Sequence, residues 1–181
     1  MSAAITNLMF SLGAMQLARK IDFTDEQTLL YVRCAYVGAQ LTVLAVYYVI
    51  SMQVKRKNDV KVLKYVEPKS PMQQEPGAMI TTTNRDYDLS EVSKAVRGVL
   101  IGVAFMGFMH GYMKYTQPLF IQAIMAIKGL YDAKIVKIHM LGQPAEGDLK
   151  RPFVAAPSFM NPGGNNNATA AAPAVEAKKD K

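Results

Sequence analysis

The sequence has few of the residues on which catalysis, metal binding or covalent cross-linking depend. Its 181 residues include one Cys, two His and no Trp. One Cys cannot form a disulfide within the chain, and two distant His without a Cys-x-x-Cys pair exclude a local zinc motif. The sequence also has no Gly-rich phosphate loop, dinucleotide fingerprint or nucleophile elbow. We therefore expect a protein that is not an enzyme and that binds no cofactor or metal.

Charged residues are also scarce over long parts of the chain. They make up 19% of the sequence, yet residues 1–18, 34–54, 98–113 and 115–127 contain no Asp, Glu, Lys or Arg. Uncharged runs of this length are typical of membrane-inserted helices. The pattern predicts an all-α membrane protein, a small bundle of three to four transmembrane or half-inserted helices.

The four runs differ in how well they fit a bilayer. Residues 34–54 are the clearest span, because at about 1.5 Å per residue they cover a hydrocarbon core of about 30 Å. A helix from Ser90 to Met113 is also long enough, with Lys94 and Arg97 reaching toward water. Residues 1–18 and 118–131 fit weaker, short or half-inserted helices. No Lys or Arg precedes the first run, so we do not expect a cleaved signal peptide.

Local signals predict where the other elements begin and end. Asp88 followed by Glu91 predicts a capping box at the start of the third helix, whereas Asp86 and Asp88 as a metal-binding pair is the less favoured reading. Residues 67–83 are rich in Pro and predict a loop, and the alternation over 134–141 predicts a short strand or extended arm. Residues 1–151 are expected to form the membrane domain, and residues 152–181 a disordered tail.

Cations near the ends of spans predict the orientation, since cytosolic loops carry more Lys and Arg. The largest group follows the second span and consists of Lys55, Arg56, Lys57, Lys61 and Lys64. We therefore expect residues 55–89 to be a cytosolic loop. Further cations after the fourth segment predict that the chain returns to the cytosol. The tail contains the glycosylation sequon at Asn167, which can be modified only in the lumen and so tests this orientation.

Several polar residues of the second helix share one face. At 100° per residue, one line along this helix contains Arg33, Tyr36, Gln40, Tyr47 and Ser51. Polar side chains in a bilayer face protein or water, so this stripe predicts a polar intramembrane groove. The alternative is that Tyr47 and Ser51 lie at the interface and that Arg33 extends to it. Arg97 and His110 of the third helix are further groove candidates, although a lone His more often forms a packing hydrogen bond.

Small and flexible residues predict contact surfaces. The third helix has two Gly-x-x-x-Gly pairs on opposite faces, which favour packing on two neighbours; they are Gly98 with Gly102 and Gly107 with Gly111. A Met stripe follows the same helix and suits either lipid or varied apolar partners. The cytosolic cations suit anionic lipid or ribosomal RNA, or they serve only to set the topology.

Several longer runs occur in an order that resembles one family. The resemblance covers about residues 5–157 and includes Met15-Gln16-Leu17-Ala18-Arg19-Lys20-Ile21-Asp22, Lys64-Tyr65-Val66-Glu67-Pro68, Arg85-Asp86-Tyr87-Asp88-Leu89, Met106-Gly107-Phe108-Met109-His110, Lys114-Tyr115-Thr116-Gln117-Pro118-Leu119-Phe120 and Gly147-Asp148-Leu149-Lys150-Arg151-Pro152-Phe153. The family is that of the endoplasmic reticulum membrane proteins first described as inorganic phosphate transport proteins. They are the third component of the SRP-independent (SND) targeting pathway.

The resemblance implies a multi-pass protein of the endoplasmic reticulum membrane that targets other membrane proteins there, with insertion itself as one form of that role. The partners it implies are the Sec translocon, the ribosome, the other SND components, nascent membrane-protein clients and membrane phospholipid, with no DNA. The alternative function is a phosphate transporter or an accessory to transporter maturation. A transporter would need convergent cations at membrane depth, and only Arg33 and Arg97 qualify.

Overall fold

The computed structural model describes residues 3–66 and 79–153. Five helices and one pair of strands follow one another along this part of the chain. In chain order they are α1 (Ala3–Ala18), α2 (Glu26–Lys57), β1 (Val62–Val66), β2 (Met79–Thr83), α3 (Asn84–Gly111), α4 (Gln117–Asp132) and α5 (Lys134–His139), followed by a 3-10 turn at Gly147–Leu149. The chain is mostly helical, as predicted, and it also contains one pair of antiparallel strands that the sequence analysis did not predict.

Helix α2 has clear stop and start signals. Asp25 precedes it and accepts a hydrogen bond from the Thr28 backbone N–H at 2.8 Å, which satisfies one of the unpaired amides of the first turn. Three cations, Lys55 to Lys57, occupy the last turn, where the helix dipole favours positive charge. Asn58 then adopts a left-handed conformation and ends the helix. The helix is thus longer at both ends than the uncharged run from Cys34 to Val54.

The start of α3 differs from the predicted capping box. Thr83 is the N-cap, and its Oγ1 accepts from the Asp86 backbone N–H at 3.1 Å. Asp88 lies inside the helix and is buried, so its assignment as the cap was wrong. The sequence from Thr83 to Asp86 has the same capping spacing, and the helix uses this earlier signal.

Two short segments also differ from their predicted structure. Residues 79–83 of the predicted loop form β2, which pairs antiparallel with β1 from Val62 opposite Thr83 to Val66 opposite Met79; residues 67–78 lie outside the described ranges. The β-branched residues of both segments favour this pairing. The predicted strand at 134–141 is instead α5, in which the neighbouring Ile135 and Val136 are both buried. An alternating pattern over so few residues does not distinguish a strand from a short helix, and the tertiary contacts decide between them.

Helix α2 is the centre of the bundle, and two clusters of buried residues lie along it. The cluster near its C-terminal end includes Val54, Val92 of α3 and Val136 of α5. The cluster near its N-terminal end includes Val32 and joins Met106 of α3 to Leu119 and Ala123 of α4. Helix α3 therefore runs antiparallel to α2, and α4 runs parallel to it. The end of α2, the start of α3 and the end of α4 lie at one end of the bundle.

Helices α2 and α3 are long and apolar enough to cross a membrane. Only 22% of the most apolar window of α2 and 11% of that of α3 is buried within the chain. A core helix of a water-soluble protein would be mostly buried, whereas these helices expose large apolar residues such as Leu41, Ile101 and Phe105. Helices α1 and α4 have 16 residues each, or about 24 Å, which is less than a full hydrocarbon core.

Candidate functional site

The polar stripe of α2 faces the inside of the bundle over most of its length. Tyr36, Gln40 and Tyr47 are each 7% exposed, and Ser51 is half-buried. Tyr36 packs with Met106 of α3 and Ala123 of α4. Helix α2 contacts both α3 and α4 extensively, while α3 and α4 contact each other little. The stripe therefore lies where α3 and α4 both pack on α2 but approach each other little, a region that we call the α3–α4 cleft.

Two buried polar atoms in this region have no hydrogen-bond partner. They are Tyr36 Oη on α2 and Gln122 Oε1 on α4. A buried polar group without a partner costs about 1–3 kcal/mol, so each atom is suited to receive a water molecule or a polar group from another chain. Gln122 was not among the predicted site residues. The feature that could have identified it is that it is a polar residue within the uncharged run 115–127.

Of the four glycines in the predicted packing motifs, Gly102 makes the closest approach to a neighbouring helix. A Cβ placed there would lie 3.2 Å from Gln122 Nε2. A Cβ on any of the other three would have no atom within 4 Å. Within the described ranges, the close contact between α3 and α4 therefore depends on Gly102, and the faces with Gly98, Gly107 and Gly111 are open.

Arg33 and His110 link α2 to α3 near the opposite end of the bundle from the basic residues. Arg33 Nε donates to His110 Nε2 at 3.0 Å, and His110 Nδ1 lies 3.1 Å from the Tyr115 carbonyl oxygen. Arg is always a donor, so Nε2 must accept and Nδ1 must carry the hydrogen. Arg97 is exposed and lies about 20 Å from His110 along α3, so the structure does not bring Arg33 and Arg97 together.

A charged cluster organises the other end of the bundle. Asp88 accepts hydrogen bonds from His139 Nε2 at 2.8 Å and from Arg151 Nε and Nη2 at 2.7 and 2.6 Å. The Asp88 and Arg151 side chains are 3% and 13% exposed. Hydrogen bonding to Asp88 raises the pKa of Arg151. These contacts fix the segment after α5 to the start of α3.

The predicted basic surface lies beside this cluster. Lys55, Arg56 and Lys57 are exposed on the last turn of α2, and Lys61 and Lys64 are exposed before and within β1. Asp59 lies among them, and the hydrogen bond from Asn84 Nδ2 at 3.0 Å lowers its pKa. All five predicted cations therefore lie at one end of the bundle.

An apolar groove of about 590 Å³ is lined by residues of α1, α2 and α4. Phe10 of α1, Ala39 of α2 and Ile124 of α4 are among its lining residues, and Lys128 lies at its edge. Lys128 contacts Asn7 and Asp132 and lies over the Phe10 ring. The described residues contain no group of three or more His, Cys, Asp or Glu side chains that could hold a metal ion.

Comparison with known proteins agrees with the resemblance in the sequence. The family model described as "Phosphate transport (Pho88)" matches residues 1–181. SRP-independent targeting protein 3 of Saccharomyces cerevisiae is 42% identical over 159 residues, which are 88% of this chain and 85% of the relative. The homologue of that protein in Schizosaccharomyces pombe is 38% identical over 144 residues, or 79% of this chain and 74% of the relative.

A second Schizosaccharomyces pombe protein, of uncharacterized function, is 42% identical over 171 residues, or 94% of this chain and 84% of the relative. No solved structure matches the chain. The family model covers the whole sequence, and each of these relatives is matched over most of its own length. The chain therefore belongs to the Phosphate transport (Pho88) family, which includes the SRP-independent targeting protein 3 proteins.

Proposed function

We propose that this protein is a non-enzymatic membrane factor that brings membrane proteins to the endoplasmic reticulum without SRP and assists their insertion. The names of two relatives support the targeting role. The insertion role rests on the α3–α4 cleft. The observation that carries it is that Tyr36 Oη and Gln122 Oε1 are both buried and unpaired in this region.

The proposed orientation places the end of α2 in the cytosol. Cations from separate parts of the chain meet at this end, because α4 returns the chain to the side where α2 ends. They include Lys55, Arg56, Lys57, Lys61, Lys64, Lys134, Lys137, Lys150 and Arg151. Such an accumulation favours the cytosolic side. Glycan attached to Asn167 would place the tail in the lumen and contradict this orientation.

The cleft would lower the cost of moving a client's polar flank into the bilayer. A charged side chain at the bilayer centre costs several kcal/mol, and unpaired polar groups nearby reduce this cost by hydrogen bonding. Helices α1 and α4 are each about 6 Å shorter than the hydrocarbon core, which favours local thinning of the membrane beside α2. Both effects lower the same barrier.

The test is a double substitution of Tyr36→Phe and Gln122→Leu. We expect insertion of a glycosylation-tagged, SRP-independent client into microsomes to fall about thirtyfold, since two hydrogen bonds of about 1 kcal/mol each, about 2 kcal/mol together, are lost. The protein itself should be as stable or more stable, because the changes remove unsatisfied buried groups. Thr42→Val is the control, because Thr42 is exposed and its hydroxyl donates to the Gly38 carbonyl of its own helix. Normal insertion by the double variant would refute the proposed cleft.

Water access to the cleft gives an independent test. A cysteine at Gln40 should react with a water-soluble thiol reagent in intact membranes, because Gln40 lies in the α3–α4 cleft. Cys34 is an internal control: it is on the outer surface of α2, and the bilayer would shield it. A cysteine at position 40 that reacts no faster than Cys34 would show that the cleft is not hydrated.

The basic surface is proposed to contact the ribosome or the translocon. Replacing Lys55, Arg56 and Lys57 by Gln should weaken co-sedimentation with ribosomes, because these cations would attract the phosphates of ribosomal RNA. At physiological salt this attraction acts over only about 8 Å, so the effect requires direct contact. The matched control is Arg19→Gln with Lys20→Gln, which removes cations from the opposite end of the bundle. Equal co-sedimentation of the triple variant and this control would argue against the proposed contact.

Phosphate transport is the alternative function, and the family description carries that name. A transport pathway needs cations that converge on the anion at membrane depth. Arg33 is bonded to His110, and Arg97 is about 20 Å away along α3. Because two cations so far apart do not form one anion site, we favour the targeting and insertion role.

A further inference from the structure

A second cavity lies at the cytosolic end of the bundle, outside the membrane-spanning part. It has a volume of about 250 Å³. The end of α2, the start of α3 and the segment 138–151 line it, and its charged residues are Lys57, Asp59, Arg85, Asp88, His139 and Arg151. One water needs roughly 15 Å³ of such a volume, so the cavity can hold a polyatomic anion with several waters. We call it the cytosolic cavity.

Cations exceed carboxylates in this lining, and the carboxylates already have partners. Asp88 accepts from His139 and Arg151, and Asp59 accepts from the Asn84 side chain and the Lys61 backbone N–H. Within the described ranges, neither Lys57 nor Arg85 is paired with a carboxylate. The cavity therefore keeps unneutralised positive charge even when His139 is neutral.

Arg85 gives the most specific indication of a missing ligand. Its Nη1 donates to Asn58 Oδ1 at 3.1 Å, but its Nε is buried and has no acceptor. A buried charged donor without an acceptor is costly, and an anion oxygen would satisfy it. The planar guanidinium has the geometry to donate two hydrogen bonds to one phosphate group.

The depth of the cavity indicates where such an anion would come from. Val54 is the last residue of the uncharged run of α2, and both Val54 and Lys57 line the cavity. Lys57 lies about 4.5 Å farther along the helix axis. The headgroup layer on each side of a bilayer is roughly 5–7 Å thick, so the cavity lies at the level of the lipid phosphates.

We infer that the cytosolic cavity binds the phosphate group of an anionic phospholipid headgroup, held by Arg85 and Lys57. This site is separate from the α3–α4 cleft and does not depend on the insertion role. Bound lipid would supply the acceptor that Arg85 Nε lacks and would connect the end of α2 to the start of α3.

The test uses the purified full-length protein in an uncharged detergent. Three probes are titrated while thermal unfolding is followed by circular dichroism: dihexanoyl phosphatidylserine, dihexanoyl phosphatidylcholine and inorganic phosphate. We expect phosphatidylserine to raise the unfolding temperature and to bind at least tenfold more tightly than phosphatidylcholine, because the cavity is net positive. Inorganic phosphate should compete with it, since the phosphate group is what Arg85 and Lys57 recognise.

Three variants that each remove one cation separate the cavity from general surface charge. Arg85→Gln and Lys57→Gln should each weaken binding of phosphatidylserine about tenfold. Arg56→Gln should change it less than twofold, because Arg56 occupies the same helix turn as Lys57 but does not line the cavity. If Arg85→Gln does not fold, Lys57→Gln, on an exposed helix end, still tests the site.

Each result decides the inference. Equal weakening by Lys57→Gln and Arg56→Gln would overturn it, as would equal binding of the two lipids or no binding of either. Binding of inorganic phosphate without phosphatidylserine would overturn the lipid assignment and leave a soluble anion as the ligand. Tighter binding of phosphatidylserine that depends on Arg85 and Lys57 supports it.

Discussion

Replacing Asp88 by Asn removes the charge that holds the segment 139–153 to the start of α3. The carboxylate accepts three hydrogen bonds, one from His139 and two from Arg151. An Asn side chain has one acceptor oxygen, and its amide group would face a donor. The substitution thus leaves the Arg151 guanidinium, which is 13% exposed, without its counter-ion.

The structure sets the size of this effect. Removing one partner of a buried ion pair costs about 3–5 kcal/mol. Arg151 keeps some contact with solvent, so we take the lower limit, about 3 kcal/mol. At 1.36 kcal/mol per factor of ten, a cost of about 3 kcal/mol raises the equilibrium constant for opening of the attached segment more than a hundredfold.

Amide hydrogen exchange, read by mass spectrometry, measures that opening directly. The Phe153 backbone N–H donates to Tyr87 Oη at 2.7 Å, and the Lys150 N–H donates to the Gly147 carbonyl. A peptide covering residues 147–153 should therefore exchange about a hundredfold faster in the Asp88→Asn variant. Asp86→Asn is the control, because Asp86 is exposed in the same turn of α3.

If this peptide exchanges no faster in the Asp88→Asn variant than in the Asp86→Asn control, the reasoning is refuted. A double variant with Arg151→Gln adds a second check. Because both members of the pair are then absent, its cost should be smaller than the sum of the two single changes. An additive result would mean that Asp88 and Arg151 do not stabilise each other.

Two further predictions concern stability in detergent. Gly102→Leu should destabilise the bundle by about 1–3 kcal/mol in thermal unfolding, because a Cβ at this position would already lie 3.2 Å from Gln122 Nε2. Gly107→Leu is the control and should have little effect, because a Cβ there would have no atom within 4 Å. The hydrogen bond from Asn84 lowers the pKa of Asp59 in the folded state below its ordinary value of 3.8. This bond should therefore stabilise the folded protein fully above pH 3.8, and the stabilisation should be lost as the pH falls through the folded-state pKa. The difference in unfolding temperature between the unchanged protein and Asn84→Ala should shrink in that acidic range; a constant difference would contradict this.

The long helices could be predicted because their signal is local. An uncharged run such as residues 34–54 indicates a long apolar helix without any knowledge of its neighbours. Their ends were harder to place, because a helix continues beyond its uncharged run until a capping signal ends it. Helix α2 thus begins at Glu26, after the Asp25 cap, and ends only where Asn58 adopts a left-handed backbone conformation.

The partners of Asp88 could not be predicted, because His139 and Arg151 lie 51 and 63 residues away along the chain. The spacing of Asp88 and Glu91 instead pointed to a local role at a helix start. Similarly, six residues of α5 gave an alternating pattern that only packing against other helices could resolve. The polar stripe was visible from periodicity alone, but Gln122 on the facing helix required the tertiary arrangement.

The long separation between Asp88 and Arg151 has a consequence for how the chain is made. Translation at about 5–20 residues per second needs roughly 3–13 s to reach Arg151 after Asp88 has been added. During that time α4 and α5 are synthesised, and the Asp88 carboxylate lacks its Arg151 partner. This end of the bundle can therefore close only after α3, α4 and α5 have been synthesised. A chain truncated before residue 151 would keep this end open.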